Sequence, residues 1–322
     1  MKIILVAIKS FVVIALFWFL YTNQSINLNA LKDLWSQPSI LFITMALMVL
    51  STVIAGIRLY VVLRTMDISV TAGRSVGVTF MGHLAANVAL GPLFSEMVRF
   101  TFLFGGAKRG WSHAATALLI DRLLGLGGLL VVVSGIIFCF AGKTALEPLG
   151  DSNFFLVLIL GIFLVTLLIV FSPRVATYLS ILLTKVGRLE LSRQFKDLSA
   201  ALNNFRVLPT RAFSALFLMI LTHIVSMGAN VYFCLEASTH IIKVEGFAIA
   251  TALAQLSNAI PISPAGFGVG EAVFDKVCRL FSDNEMAYGF ASIFLTLRVL
   301  SVFSSLPALL FVVFLRVRLK ER

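Results

Sequence analysis

Charged side chains interrupt stretches of this sequence that are otherwise apolar. A charge at the centre of a bilayer costs at least about 2.5–3.5 kcal/mol, so such residues usually face a cavity or a partner of opposite charge. Arginine binds phosphate and carboxylate groups, and a buried carboxylate orients arginines or carries a proton. The chemistry that this set suggests is the binding of an anion at membrane depth; its members are Arg58, Glu96, Arg99, Asp121, Arg122, Glu271 and Arg298.

Depth separates the four arginines of this set. Arg122 lies nine residues and Arg298 twelve residues into its apolar stretch, which places them about 14 Å and about 18 Å deep at 1.5 Å per helical residue. We expect these two to bind substrate. Arg58 and Arg99 lie nearer the cytoplasmic ends of their helices, and the sequence leaves open whether they snorkel to the interface or face the interior.

Two of the three carboxylates lie close to an arginine in the sequence, at different spacings. Glu96 and Arg99 share a helix face at a spacing of three residues, whereas Asp121 and Arg122 are adjacent and diverge by about 100°. We expect Glu96, Asp121 and Glu271 to orient the arginines, and a role as proton carriers stays open.

Two apolar stretches are broken by Pro and Gly and resemble each other. Residues 87–96 read NVALGPLFSE and residues 258–271 read NAIPISPAGFGVGE, so an Asn, a break and a Glu recur in order. Glu96 precedes Arg122 by 26 residues, and Glu271 precedes Arg298 by 27. Interrupted helices at corresponding positions of two inverted halves mark the substrate site of many secondary transporters. The alternative is a chance similarity of two breaks.

Both breaks are expected to contribute to the site. Asn87 and Asn258 precede them, and Gly266 and Gly268 shape the second. Free backbone N–H groups at the start of the returning half-helix attract anions, and glycine allows close approach. With the deep arginines, this predicts a site for a phosphate whose apolar tail stays in lipid. A tight turn in a packed bundle is the simpler alternative.

The surrounding composition is that of a membrane protein. Hydrophobic residues make up 59% of the 322 residues, charged residues only 13%, and the mean hydropathy is +1.01; a soluble domain has about 25% charged residues. We predict an all-α polytopic bundle of about six spans and two re-entrant broken-helix hairpins, arranged as inverted repeats. The spans are predicted at 3–21, 39–63, 113–141, 153–171, 212–235 and 286–315, and the hairpins at 75–104 and 246–274.

These elements divide the chain into a first half (1–172), a connector (173–211) and a second half (212–322). Of the 26 Lys and Arg residues, 17 fall in predicted cytoplasmic segments and 5 in outer segments, with four in the apolar stretches. This asymmetry predicts cytoplasmic N- and C-termini in the inner membrane. The net charge of +11 thus reflects orientation rather than binding of nucleic acid. Residues 173–211 are predicted to form an amphipathic segment on the inner leaflet.

The residues of the breaks also resemble a known family. The segments GPLFSEMVR (91–99), DR (121–122) and PISPAGFGVGE (261–271) look like motifs of the flippase-like family, which includes the transmembrane domain of lysylphosphatidylglycerol synthases. Ala265 and Phe267 stand where Gly and Leu are frequent in that family. The resemblance implies lipid translocation in the cytoplasmic membrane. Because little sequence follows Leu315, we expect a stand-alone member without the soluble synthase domain.

The leading hypothesis is a lipid flippase or transporter for an anionic phospholipid or a lipid-linked polyprenyl-phosphate intermediate. A polyprenyl-phosphate transferase and a small-anion transporter are the alternatives. The sequence shows no D-x-x-D cluster and no metal-ligand spacing, so we expect neither a metal nor a cofactor. The three cysteines, at 139, 234 and 278, are expected to pack as small apolar groups.

Overall fold

All regular elements in the described part of the chain are α-helices. A computed structural model describes residues 37–88, 92–104, 111–140, 172–185, 208–238, 242–259, 267–282 and 289–312, with isolated residues 22, 35, 161, 187, 192, 193, 195, 196, 199, 200 and 203. The helices are α1 Pro38–Thr65, α2 Ala72–Val88, α3 Pro92–Phe104, α4 Trp111–Phe140, α5 Pro173–Lys185, α6 Pro209–Ala237, α7 Val244–Ala259, α8 Val269–Leu280 and α9 Phe290–Ser305.

Proline sets several of the helix starts. Pro38, Pro92, Pro173 and Pro209 each begin a helix, a position where the missing N–H is not needed and the fixed φ is already helical. Proline also interrupts the last span at Leu306. Pro307 has no N–H, so it does not donate the hydrogen bond that would continue α9.

Among the described residues, four helices are long and apolar enough to cross a membrane: Pro38–Thr65, Ala115–Phe140, Pro209–Ala237 and Phe290–Val312. Their exposed side chains include Phe42, Phe138 and Phe213, whereas Thr44, Thr52, Arg58 and other polar groups are buried. This distribution is that of helices packed together in lipid. The other two predicted spans, at 3–21 and 153–171, lie outside the described residues, apart from residue 161.

Both broken stretches are helical hairpins. In the first, Arg74 at the start of α2 donates to the carbonyl of Phe102 at the end of α3 (2.8 Å). In the second, Gly246 at the start of α7 packs against Phe281 just after α8. The four arms have 17, 13, 16 and 12 residues, so each is at most about 26 Å long and shorter than the roughly 30 Å hydrocarbon core.

The two hairpins enter the bundle from opposite ends. Arg211 at the start of α6 donates to the carbonyl of Arg64 at the end of α1 (2.8 Å), and α1 and α6 pack along each other, so these helices are antiparallel. The α2–α3 hairpin follows the end of α1, and the α7–α8 hairpin follows the end of α6. Helix α4 packs on α6 and α7, and in the same way α9 packs on α1 and α2. The fold is thus an all-α membrane bundle with inverted repeats.

Each hairpin has its own apolar core. The first core includes Leu59, Val78, Met81, Leu103 and Leu118. In the second, Phe247 stacks on Phe274 at 6.4 Å between ring centroids, and Phe274 packs on Phe294 at 5.1 Å. Cys234 and Cys278 are buried in this second core, as expected for small apolar groups, whereas Cys139 near the end of α4 is exposed.

Two predicted boundaries need correction. The second hairpin was predicted to end at residue 274, but α8 continues to Leu280 because Arg279 pairs with Asp275 one turn earlier (2.7 Å) and keeps these charges on a helix. The last span begins at Phe290 rather than at residue 286. The connector contains α5, which exposes Val175, Tyr178, Ile181 and Leu182; its location on the inner leaflet stays a prediction.

The crossing of α1 and α2 provides a test of this packing. A Cβ atom at Gly56 would lie 2.6 Å from the Cα of Val76, and overpacking of this kind costs about 1–3 kcal/mol. We expect Gly56→Ala to lower the melting temperature in detergent, measured by tryptophan fluorescence. Gly135→Ala and Gly228→Ala, whose added Cβ meets no atom within 4 Å, should leave it unchanged or raise it. A Gly56→Ala protein as stable as these controls would contradict the crossing.

Candidate functional site

A buried carboxylate joins three helices of the first half. Asp121 on α4 accepts from Nε of Arg58 on α1 (2.8 Å) and from Nη1 of Arg99 on α3 (3.1 Å). All three side chains are buried. Arg58 and Arg99 therefore do not snorkel to the interface, because each is held in the interior by Asp121.

A second ion pair adjoins this cluster. Nε of Arg122 donates to Oε1 of Glu96 (2.6 Å), and Nη1 of Arg99 lies 3.7 Å from the same oxygen. The Arg122 side chain is 38% exposed and that of Glu96 is 24% exposed. As expected from their adjacent positions, Asp121 and Arg122 point to different partners.

The equivalent pair of the second half is more enclosed. Nε of Arg298 lies 2.5 Å from Oε1 of Glu271, and Nη2 reaches Oε2 of Glu271 (3.3 Å) and Oδ1 of Asn258 (2.9 Å). The guanidinium also lies over the ring of Phe267 (4.7 Å to the centroid) and near that of Phe294 (5.7 Å). The Arg298 side chain is 16% exposed and that of Glu271 only 1%.

The start of α8 fixes Glu271. The N–H of Gly268 donates to Oε2 of Glu271 (2.9 Å), so the carboxylate caps the helix that carries it. Gly268 has φ 82°, a conformation that favours glycine. A Cβ at Gly270 would lie 2.5 Å from Oδ1 of Asn258, so glycine also allows the two arms to close on each other. Gly266 lies outside the described residues.

Both hairpin tips reach the same turn of α9. Asn87, near the end of α2, donates to Oγ (2.9 Å) and O (3.2 Å) of Ser301. Asn258, near the end of α7, accepts from Arg298, three residues earlier on the same helix face. The ends of α2 and α7 therefore meet at one level inside the bundle. Asn87 and Asn258 lie at this meeting point, and their predicted contact with substrate stays a prediction.

The two halves differ beside their Glu–Arg pairs. With Glu96 aligned on Glu271 and Arg122 on Arg298, Arg99 corresponds to Phe274 and Asp121 to Leu297. Phe274 and Leu297 belong to the second apolar core. The first half thus has a buried ionic cluster where the second half has apolar packing.

Sequence reasoning missed three partners of the site. Ser301 lies three residues after Arg298, a spacing that signals a shared face. Phe267 and Phe294 contact Arg298 through their rings, but aromatic residues are frequent in this sequence and give no specific signal. Within the described residues, no group of three His, Cys, Asp or Glu side chains is placed to hold a metal ion.

Removal of the Asp121 carboxylate tests the first cluster. Breaking a buried ion pair on one side costs about 3–5 kcal/mol, whereas replacing the whole pair by apolar groups is often neutral. We expect Asp121→Asn to lower the melting temperature strongly, and the triple variant Arg58→Met, Arg99→Phe, Asp121→Leu to recover most of that loss. Equal stability of Asp121→Asn and wild type would contradict the buried cluster.

Comparison with known proteins assigns this chain to a family. Residues 6–316 match the family model described as lysylphosphatidylglycerol synthase TM region. Comparisons with curated proteins and with solved structures each gave no match. The matched segment contains both hairpins, both Glu–Arg pairs and all the helices α1 to α9. Because the match covers nearly the whole chain, this protein belongs to the family of the lysylphosphatidylglycerol synthase transmembrane region.

Proposed function

We propose that this protein is a flippase that moves an anionic phospholipid or a polyprenyl-phosphate intermediate across the cytoplasmic membrane. The observation that carries the proposal is the position of Arg122. Its partly exposed side chain lies on one face of α4 with Leu119 and Leu126, at the helical spacings i−3 and i+4. A headgroup bound to Arg122 would leave its acyl or prenyl chain along this exposed apolar strip.

The charge balance of the first half favours an anion. Among the described residues, its cluster combines Arg58, Arg99 and Arg122 with Glu96 and Asp121, three positive charges with two negative charges. In the second half, Arg298 and Glu271 balance each other. A bound phosphate would neutralise the excess, and its interaction with arginine is strong where water is excluded.

Exposed apolar groups favour a lipid over a free anion. On α3, the helix of Glu96, the side chains of Phe94 and Met97 are exposed. The cationic site therefore adjoins exposed apolar surface that lipid would cover. An amphipathic ligand matches this site, because its anionic headgroup fits the arginine and its apolar chain fits the surface. The lipid-handling family supports the same reading.

The inverted hairpins suggest how transport would proceed. They enter from opposite ends and meet at the turn of α9 that contains Arg298 and Ser301. Rocking of one half against the other would expose this meeting point to each leaflet in turn, as in other transporters built from inverted repeats. No covalent step is needed, and we propose a transporter with cytoplasmic termini rather than an enzyme.

Arginine substitutions test the proposal through lipids that co-purify in mild detergent. We expect mass spectrometry of the wild type to show one anionic lipid enriched over bulk membrane, and Arg122→Ala and Arg298→Ala to lose it. Lys276→Ala, which removes an exposed positive charge on α8 outside the site, is the control and should retain the lipid.

Transport gives the second readout. Both site variants should abolish movement of the enriched lipid between leaflets of proteoliposomes, while Lys276→Ala should not. Unchanged transport in both site variants would remove the mechanism, and lipid-independent uptake of a water-soluble anion would replace it by small-anion transport.

A further inference from the structure

We propose that Glu96 is a displaceable internal ligand of Arg122, which occupies the place of the substrate anion, whereas Glu271 is a permanent partner of Arg298. This inference rests on the proposed function, because it takes Arg122 as the residue that binds the lipid phosphate. Glu96 and Glu271 occupy equivalent positions in the sequence, but under this inference Glu96 lowers the affinity for the lipid anion and Glu271 raises it.

The first step is competition at Arg122. Glu96 bonds Nε of Arg122 through Oε1 at 2.6 Å, and both side chains are partly exposed. An incoming phosphate would meet the guanidinium on the face of α4 that also exposes Leu119 and Leu126. Carboxylate and phosphate bind arginine through the same kind of N–H donor, so a phosphate bound at the Nε edge of Arg122 competes with Glu96.

The second step is a new partner for the displaced carboxylate. Nη1 of Arg99 already lies 3.7 Å from Oε1 of Glu96, which is within ion-pair range but too long for a hydrogen bond. Oε2 of Glu96 and Nε of Arg99 are buried and accept or donate no hydrogen bond within the described part of the chain. A small rotation of Glu96 toward Arg99 would satisfy buried groups that are unsatisfied now.

Glu271 lacks this alternative. It is almost fully buried, interacts with Arg298 through both oxygens and accepts the Gly268 N–H as well. The position that corresponds to Arg99 is Phe274, so no cation stands there to receive a displaced carboxylate. Displacement of Glu271 would leave a buried charge without compensation, and its role is to position Arg298.

The exchange has a consequence for transport. Glu96 lowers the affinity for the anion, and its return to Arg122 expels the headgroup. Without the carboxylate, the lipid would bind more tightly and leave more slowly.

The test is a titration of purified protein in neutral detergent with dioleoylphosphatidylglycerol, followed by native mass spectrometry. We expect Glu96→Gln to lower the Kd by about three- to tenfold, the scale of one partly exposed ion pair. Glu271→Gln should raise the Kd, and Arg122→Ala should bind no better than background. Melting temperatures of all variants report their folding.

A double-mutant cycle tests the handover to Arg99. Arg99→Gln should weaken lipid binding in the wild-type background, because displaced Glu96 loses its acceptor site, and should have little effect in the Glu96→Gln background. Equal effects in both backgrounds would overturn the handover.

The remaining outcomes separate this inference from the proposed function. If Arg122→Ala loses the lipid but Glu96→Gln also weakens binding, Glu96 only orients Arg122; the inference fails and the proposed function stands. If Arg122→Ala binds as tightly as wild type, both fail. Equal tightening for dioleoylglycerol, which has the same acyl chains but no phosphate, would overturn competition between anions. Equal tightening for glycerol 3-phosphate would support the competition but identify a free anion as the ligand.

Discussion

An arginine inside a bilayer needs an anionic partner, and the Glu–Arg pairs of the two hairpins meet this constraint. In each half a glutamate on the returning arm of the hairpin holds an arginine on the span that follows it. Because an unpaired charge is so costly there, each pair ties the returning arm of its hairpin to a span. The hairpin tips, the turn of α9 between them and the apolar cores behind them are arranged around these contacts.

The two halves surround their Glu–Arg pairs with different kinds of side chain. The first half surrounds its pair with Arg58, Asp121 and Arg99, and the second half surrounds its pair with Phe267, Phe294 and Asn258. A charged environment offers alternative partners to a carboxylate, whereas an aromatic and amide environment holds a guanidinium in one position. The two halves therefore differ in the groups that surround their Glu–Arg pairs, and the roles that we propose for them, ligand exchange in the first and support in the second, follow from this difference.

Close backbone approach makes this arrangement compatible with a dense bundle. Gly82 faces Ser95 and Arg99 across the first hairpin, and Gly270 faces Asn258 across the second, in both cases with no room for a Cβ atom. Small residues allow helices in lipid to approach until polar groups meet. The functional polar contacts and the packing of the arms thus depend on the same glycines.

The amino-acid sequence by itself determined the helical membrane class and the two broken stretches, and it placed a Glu and an Arg at nearly the same spacing in each half. These features are local or periodic, because a hydrocarbon core demands long apolar helices and makes every charge conspicuous. The tertiary structure alone decided that Arg58 and Arg99 share Asp121, that Asn87 reaches Ser301 and that Arg298 lies against two aromatic rings. Those contacts join residues far apart in the chain, and which of several buried partners an ionic group takes depends on how the helices cross in three dimensions.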